Sequence, residues 1–171
     1  LFIGALSILS LVNLVAMIFL QQETNLQTVL FIINVVMTPI FFGDFLYRFF
    51  TAEHKGHYFW QGFGWADLLS SVPIAQLKIL RLFRIWRVIR LLIAFGARNL
   101  WHEFVTNRAG NALLSVFFLV LCVIEFGSFA VLIAEQHAPD ANITNAADAI
   151  WWVYVTITTV GYGDYYPVTI N

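Results

Sequence analysis

Thr159-Val160-Gly161-Tyr162-Gly163-Asp164 decides how the rest of this chain is read. Its glycines alternate with residues that carry side chains, and a residue without Cβ reaches left-handed backbone angles at little cost. Gly161 and Gly163 therefore let consecutive carbonyls face one way. The bland alternative is a Gly-rich turn. Against it, Asp148-Ala149-Ile150-Trp151-Trp152 lies directly upstream, and a membrane-grade composition surrounds both stretches.

That composition is 60% hydrophobic, 17% aromatic and 11% charged, with mean hydropathy +0.79, too apolar for a soluble domain of 171 residues. The one cysteine, Cys122, sits in an apolar run and is assigned to packing. Leu1–Leu20 has no charge but also no basic flank or small-residue cleavage site, so it reads as a spanning helix and not a signal peptide. Further apolar segments cover Thr28–Phe50, Gln61–Ala75, Gln76–Phe95 and Gly110–Ala134, with a shorter one before the glycines. Outside the fourth segment, Arg48, Lys55, Arg98 and Arg108 fall on one side of alternate crossings, which makes that side cytoplasmic. Glu23, Glu135, Asp140, Asp148 and Asp164 fall on the other, an acidic outer face that concentrates cations.

Lys78, Arg81, Arg84, Arg87 and Arg90 place a cation at every third position of the fourth segment, with apolar residues between. On an α-helix this step makes a shallow spiral of charge, and on a 3₁₀ helix one stripe. An interfacial amphipathic helix is the competing reading, but it calls for a wide polar face, and every non-basic position from Ile79 to Ile93 is apolar.

Trp151-Trp152 through Pro167 is similar to the W-W…T-T-V-G-Y-G-D-x-x-P pattern of voltage-gated potassium channels, and the chain resembles that family over nearly its whole length. The resemblance implies an all-α membrane protein: a four-helix voltage-sensor domain over 1–95, a linker helix over 96–109, and an incomplete pore domain over 110–171. The pore domain would hold an outer helix, a re-entrant pore helix and the filter, with the inner pore helix missing beyond Asn171. In the full-length homotetramer, carbonyls of Thr159, Val160, Gly161 and Tyr162 would replace the hydration shell of K⁺, with Gly163 and Asp164 completing the filter. Potassium is the permeant ion, no cofactor is expected, and the protein is no enzyme. Its site is the plasma membrane, in the lipid bilayer, and no nucleic-acid partner is expected. Arg81, Arg84, Arg87 and Arg90 would sense voltage, passing a charge-transfer site made by Phe41, Asp44 and Asp67. Phe41 and Asp44, three apart, share a helix face, although an acid at a helix end beside Arg48 explains Asp44 as well. The resemblance puts Glu135 at the brace of the pore mouth and Tyr166 where an aromatic ring admits external tetraethylammonium block.

Two positions depart from the family. Asn34 stands where an outer acid is common, and the first apolar segment offers only Ser7, Ser10 and Asn13 on one face; Pro73 to Arg81 is too short for the usual helical hairpin. The linker length favours a sensor packed on a neighbouring subunit's pore. Asn145, three before Asp148, reads as the N-cap of the pore helix. Trp151, Trp152 and Tyr154 read as an aromatic cuff or as core, and Asn142-Ile143-Thr144 as a glycosylation sequon. Glu125, an acid inside the fifth helix, is a site candidate by its cost alone, whereas His54 and His57 read as solvated. The alternative within the class is a potassium channel with static sensor-like helices, gated by ligand or lipid. A potassium transporter would repeat the glycine loop and lack the cation ladder, and a sensing module for an enzyme would leave the loop unused.

Overall fold

Eighteen uncharged residues, Phe2–Phe19, form α1, which at 1.5 Å per residue is about 27 Å long and close to a bilayer's hydrocarbon thickness. It is the first element of the computed structural model, which describes residues 2–52 and 108–169. A short turn follows, where the Leu20 carbonyl accepts from Glu23 N (3.0 Å) and Gln27 Nε2 (3.0 Å). α2 spans Thr24–Thr51, beginning four residues before the apolar segment does. Its polar first turn holds because Gln27 N donates to Glu23 O (3.0 Å) and Thr28 Oγ1 to Thr24 O (2.8 Å), contacts that hydropathy does not register. Pro39 lies inside it and removes one backbone donor.

α3 spans Arg108–Glu135 and α4 spans Ala146–Ile157. The first three helices are long and apolar enough to cross a membrane, so the chain is a multi-pass membrane protein; α4, with 12 residues, is too short to cross. Among the described residues all regular structure is helical. The segments Gln61–Ala75 and Gln76–Phe95 lie outside them, as do residues 96–107 of the linker.

The chain divides into two compact units, one of Leu1–Ala16 with Asn34–Ser115, the other of Met17–Ile33 with Val116–Asn171. The first buries Leu6, Leu9, Met37, Phe41 and Phe45 together with Ser7, Ser10, Asn13 and Asn34. The second is built around Leu26 and Val29 of α2, Val131 and Leu132 of α3, and Ile143, Ala146 and Ala149 at the start of α4. That cluster joins α2, α3 and the start of α4, where the small Ala146 and Ala149 are buried. Lipid tails are as apolar as leucine, so such helices are held by close packing more than by water exclusion. Gly127 makes this visible: a Cβ there would lie 3.2 and 3.3 Å from the Val153 methyls, so a larger residue fits only if Val153 shifts by a few tenths of an ångström. Leu113, Val116, Leu119, Phe126 and Ile133 stand exposed along α3, as a lipid-facing or subunit-facing helix requires.

Candidate functional site

The site begins at the N-terminus of α4. Asn145 caps it as the spacing predicts, its Oδ1 accepting from Ala147 N (2.9 Å) and Asp148 N (3.1 Å). Asp148 reaches back, its Oδ2 accepting from Asn145 Nδ2 (2.7 Å) and Thr144 N (3.3 Å), which completes a variant of the capping box. At the other end, Thr158 N donates to Tyr154 O, Thr159 N to Thr156 O and Val160 N to Val155 O, so the helix closes into the glycine stretch without a break.

Backbone φ is +57° at Thr159, +61° at Gly161 and +74° at Gly163, a left-handed residue at every second position. This alternation is the geometry expected of carbonyls that face one way. Thr159 was not foreseen, because nothing in a threonine announces a positive φ. Holding a residue with a side chain there costs on the order of 1–2 kcal/mol, strain that the flanking bonds of α4 must over-determine. A Cβ added to Gly161 or Gly163 would meet nothing within 4 Å of the chain, so the need for glycine is conformational and not steric.

Beyond the glycines the backbone is held by side chains. Asp164 Oδ2 accepts from Trp151 Nε1 (2.8 Å) and Oδ1 from Tyr165 N (3.1 Å). Asn142 donates from Nδ2 to Asp164 O and accepts at Oδ1 from Tyr166 N, both at 3.3 Å. The Tyr165 ring packs on the core of the second unit and its hydroxyl donates to Asp148. That bond, reinforced by the negative charges of Asp148 and Asp164, raises the phenol's pKa above the ordinary tyrosine value. Buried Glu135 accepts from Val168 N (2.8 Å), Thr169 N (2.9 Å) and the Thr169 hydroxyl. Sequence gives no sign of Val168 and Thr169 as partners of Glu135, since their bonds span 33 and 34 residues.

Trp151 stacks on Tyr162, rings parallel to within 3° at 6.1 Å, and on Tyr154 at 6.4 Å. Of the two readings open for Trp152, cuff or core, the structure takes the core: it packs against that cluster, about 100° round the helix from Trp151. Tyr166 is 55% exposed, in contrast to its neighbour Tyr165.

In the first unit, Phe41 is buried, and Asp44 pairs with Arg48 at 3.0 Å one turn along α2. Asp44, Ile40, Gly43 and Tyr47 line a cavity of about 380 Å³. Ser10 Oγ donates to Asn34 Oδ1 (3.3 Å), Ser7 Oγ to Ile3 O (2.7 Å), and neither polar atom of the Asn13 side chain, which is fully buried, has a hydrogen-bond partner among the described residues. Glu125 is buried on α3. Asp67, Lys78, Arg81, Arg84, Arg87, Arg90, Arg98, His54 and His57 lie outside the described residues. Among the described residues no cluster of His, Cys, Asp and Glu is placed to hold a metal ion.

A voltage-gated potassium channel of Aeropyrum pernix is 26% identical to this chain over 176 residues, 95% of the chain and 58% of that protein. Human potassium voltage-gated channel subfamily A members 6 and 4 are 50% and 48% identical over 58 residues, 34% of the chain and 11% and 9% of their own lengths. The chain thus spans little more than half of the archaeal relative and about a tenth of the human ones. No solved structure matches it. The family model described as ion transport protein matches residues 1–171, so the chain belongs to the ion transport protein family and is a membrane transport protein, not an enzyme.

Proposed function

We propose that the chain is the sensor and outer pore portion of a voltage-gated, potassium-selective channel of the plasma membrane, active as a homotetramer. The observation that carries this reading is the left-handed backbone at Thr159, Gly161 and Gly163. Four such chains around an axis turn the carbonyls of Thr159, Val160, Gly161 and Tyr162 inward, where they replace the hydration shell of a potassium ion. Bonds from Trp151, Tyr165 and Asn142 hold Asp164 and Tyr166 at the outer end of that column, and Glu135 braces the segment that follows. The acidic outer face supplies cations to it. Arg81, Arg84, Arg87 and Arg90 sense the field, passing Phe41, Asp44 and Asp67 by exchange of ion pairs. The names of the archaeal and human relatives support both halves of the reading.

A specific observation favours a second reading. Asp44 is engaged by Arg48 of its own helix, which suits a static set of helices with a gate answering to ligand or lipid. Currents from the full-length protein in a bilayer, at stepped voltages and in potassium and sodium solutions, test both. Potassium-selective current that rises steeply with voltage supports the first; selective current without voltage dependence selects the second, and equal sodium and potassium permeability overturns both.

A further inference from the structure

Asn142 opens a glycosylation sequon, yet its side chain is spent on the backbone that leaves the glycine stretch. Nδ2 donates to the carbonyl of Asp164 and Oδ1 accepts the amide of Tyr166, across 22 and 24 residues of sequence. These two groups flank Tyr165. A donor to the residue before and an acceptor from the residue after is the pattern by which one strand residue bridges a parallel neighbour, so the carboxamide acts as a strand one residue long. Tyr165 between them turns the other way, its ring on the core cluster and its hydroxyl on Asp148. The segment 164–166 is therefore gripped on both sides, from the loop before α4 and from the first turn of α4.

Such a grip is needed at this point in the chain. The segment belongs to no helix or strand, so its backbone groups have no ladder to enter. Asp164 O and Tyr166 N belong to the residues that follow the last carbonyl column, and if they turn outward the column above Tyr162 loses its alignment. Ile143, next to Asn142, is fully buried in the core, which fixes the position from which the carboxamide reaches.

We infer that Asn142 is a positioning residue: its carboxamide clamps the backbone of Asp164 and Tyr166 and keeps the outer end of the carbonyl column open. The inference rests on the conduction reading for its functional meaning, but the clamp itself is a statement about two hydrogen bonds and can be tested without current. At 3.3 Å both bonds are long, so each contributes at the lower end of the usual range. Four copies act together in a tetramer.

The test uses full-length protein made in a bacterium that adds no N-glycan, so that the side chain and not a sugar is varied. Asn142→Leu keeps shape and removes both bonds. Hydrogen exchange at the Tyr166 amide, followed by mass spectrometry, is expected to quicken about threefold to tenfold relative to wild type. Asn142→Asp keeps the acceptor for Tyr166 N and loses the donor to Asp164 O, so its Tyr166 exchange stays near wild type. In the same preparations, current during a sustained opening is expected to decay about threefold to tenfold faster in both variants, and raised external potassium, which fills the column, is expected to slow that decay. A purely structural role would lower the amount of channel without making decay depend on potassium. Equal Tyr166 exchange in wild type and Asn142→Leu overturns the clamp whether or not current flows. Faster exchange with unchanged decay overturns its role in the column. If wild type carries no potassium current, the conduction reading fails while the exchange result still decides the clamp.

Discussion

The surroundings of the glycine stretch and the polar residues of α1 and α2 place similar residue types in opposite circumstances. Around the glycine stretch, Glu135, Asp148 and Asp164 each accept at least two hydrogen bonds, and Asn142 uses both ends of its carboxamide. In the first unit, Ser7 bonds its own helix, Ser10 bonds Asn34, and Asn13 is fully buried with both polar atoms unmatched among the described residues. A closed network fixes one geometry, which is what a column of carbonyls demands. A carboxamide buried without such closure, as at Asn13, is costly in one fixed state, and it suits a place where partners are exchanged.

The strongest way to break that contrast is at the glycines. Gly161→Ala or Gly163→Ala forces a Cβ into a left-handed residue at a cost of about 1–2 kcal/mol in each of four subunits, and the expected outcome is loss of current or of potassium preference. Reversal potentials in mixed potassium and sodium solutions check it; an unaltered preference would mean that fixed geometry around the glycine stretch is not the source of selectivity.

If the polar residues of α1 and α2 do serve exchanging charges, then Arg84→Gln or Arg87→Gln flattens the voltage dependence, since a charge crossing the whole field is worth about 2.3 kcal/mol per 100 mV. Arg98→Gln, beyond the ladder, is expected to do far less. Conductance against voltage measures this, and identical slopes in all three variants would leave those polar residues without exchanging partners.

A smaller effect is expected at Asn13. Asn13→Leu keeps the volume and removes a buried amide, which relieves a penalty of about 1–3 kcal/mol, so the unfolding temperature of the purified protein should rise. A fall would show that Asn13 is matched after all and bring the two regions closer together. The smallest effect concerns the rim: Tyr166→Val should weaken external tetraethylammonium block by about 0.5–2 kcal/mol per lost ring contact. Tyr165→Val should leave block unchanged and instead lower stability, because that ring is packed and its hydroxyl holds Asp148. Block unchanged in the first variant and weakened in the second would reverse the roles of the two tyrosines.

Much of this molecule is legible in order along the chain. The spanning character of α1, α2 and α3 follows from local hydropathy, and the Asn145 cap from a spacing of three, because both depend on neighbours within a few turns. The glycines at 161 and 163 announce a left-handed backbone, since only glycine enters it cheaply. What sequence could not settle depends on distance along the chain. Thr159 at φ +57° is held there by the closing turn of α4 and not by any preference of threonine. Trp152 could serve a cuff or the core by its sequence, and the packing of α2 and α3 places it against the core. Val168 and Thr169 meet Glu135, and Asn142 meets Asp164 and Tyr166, only after α3, the loop and α4 have packed. The sequon at Asn142 is legible from three letters, whereas the two bonds of its carboxamide depend on where the buried Ile143 beside it anchors the loop, a matter of packing that no local pattern encodes.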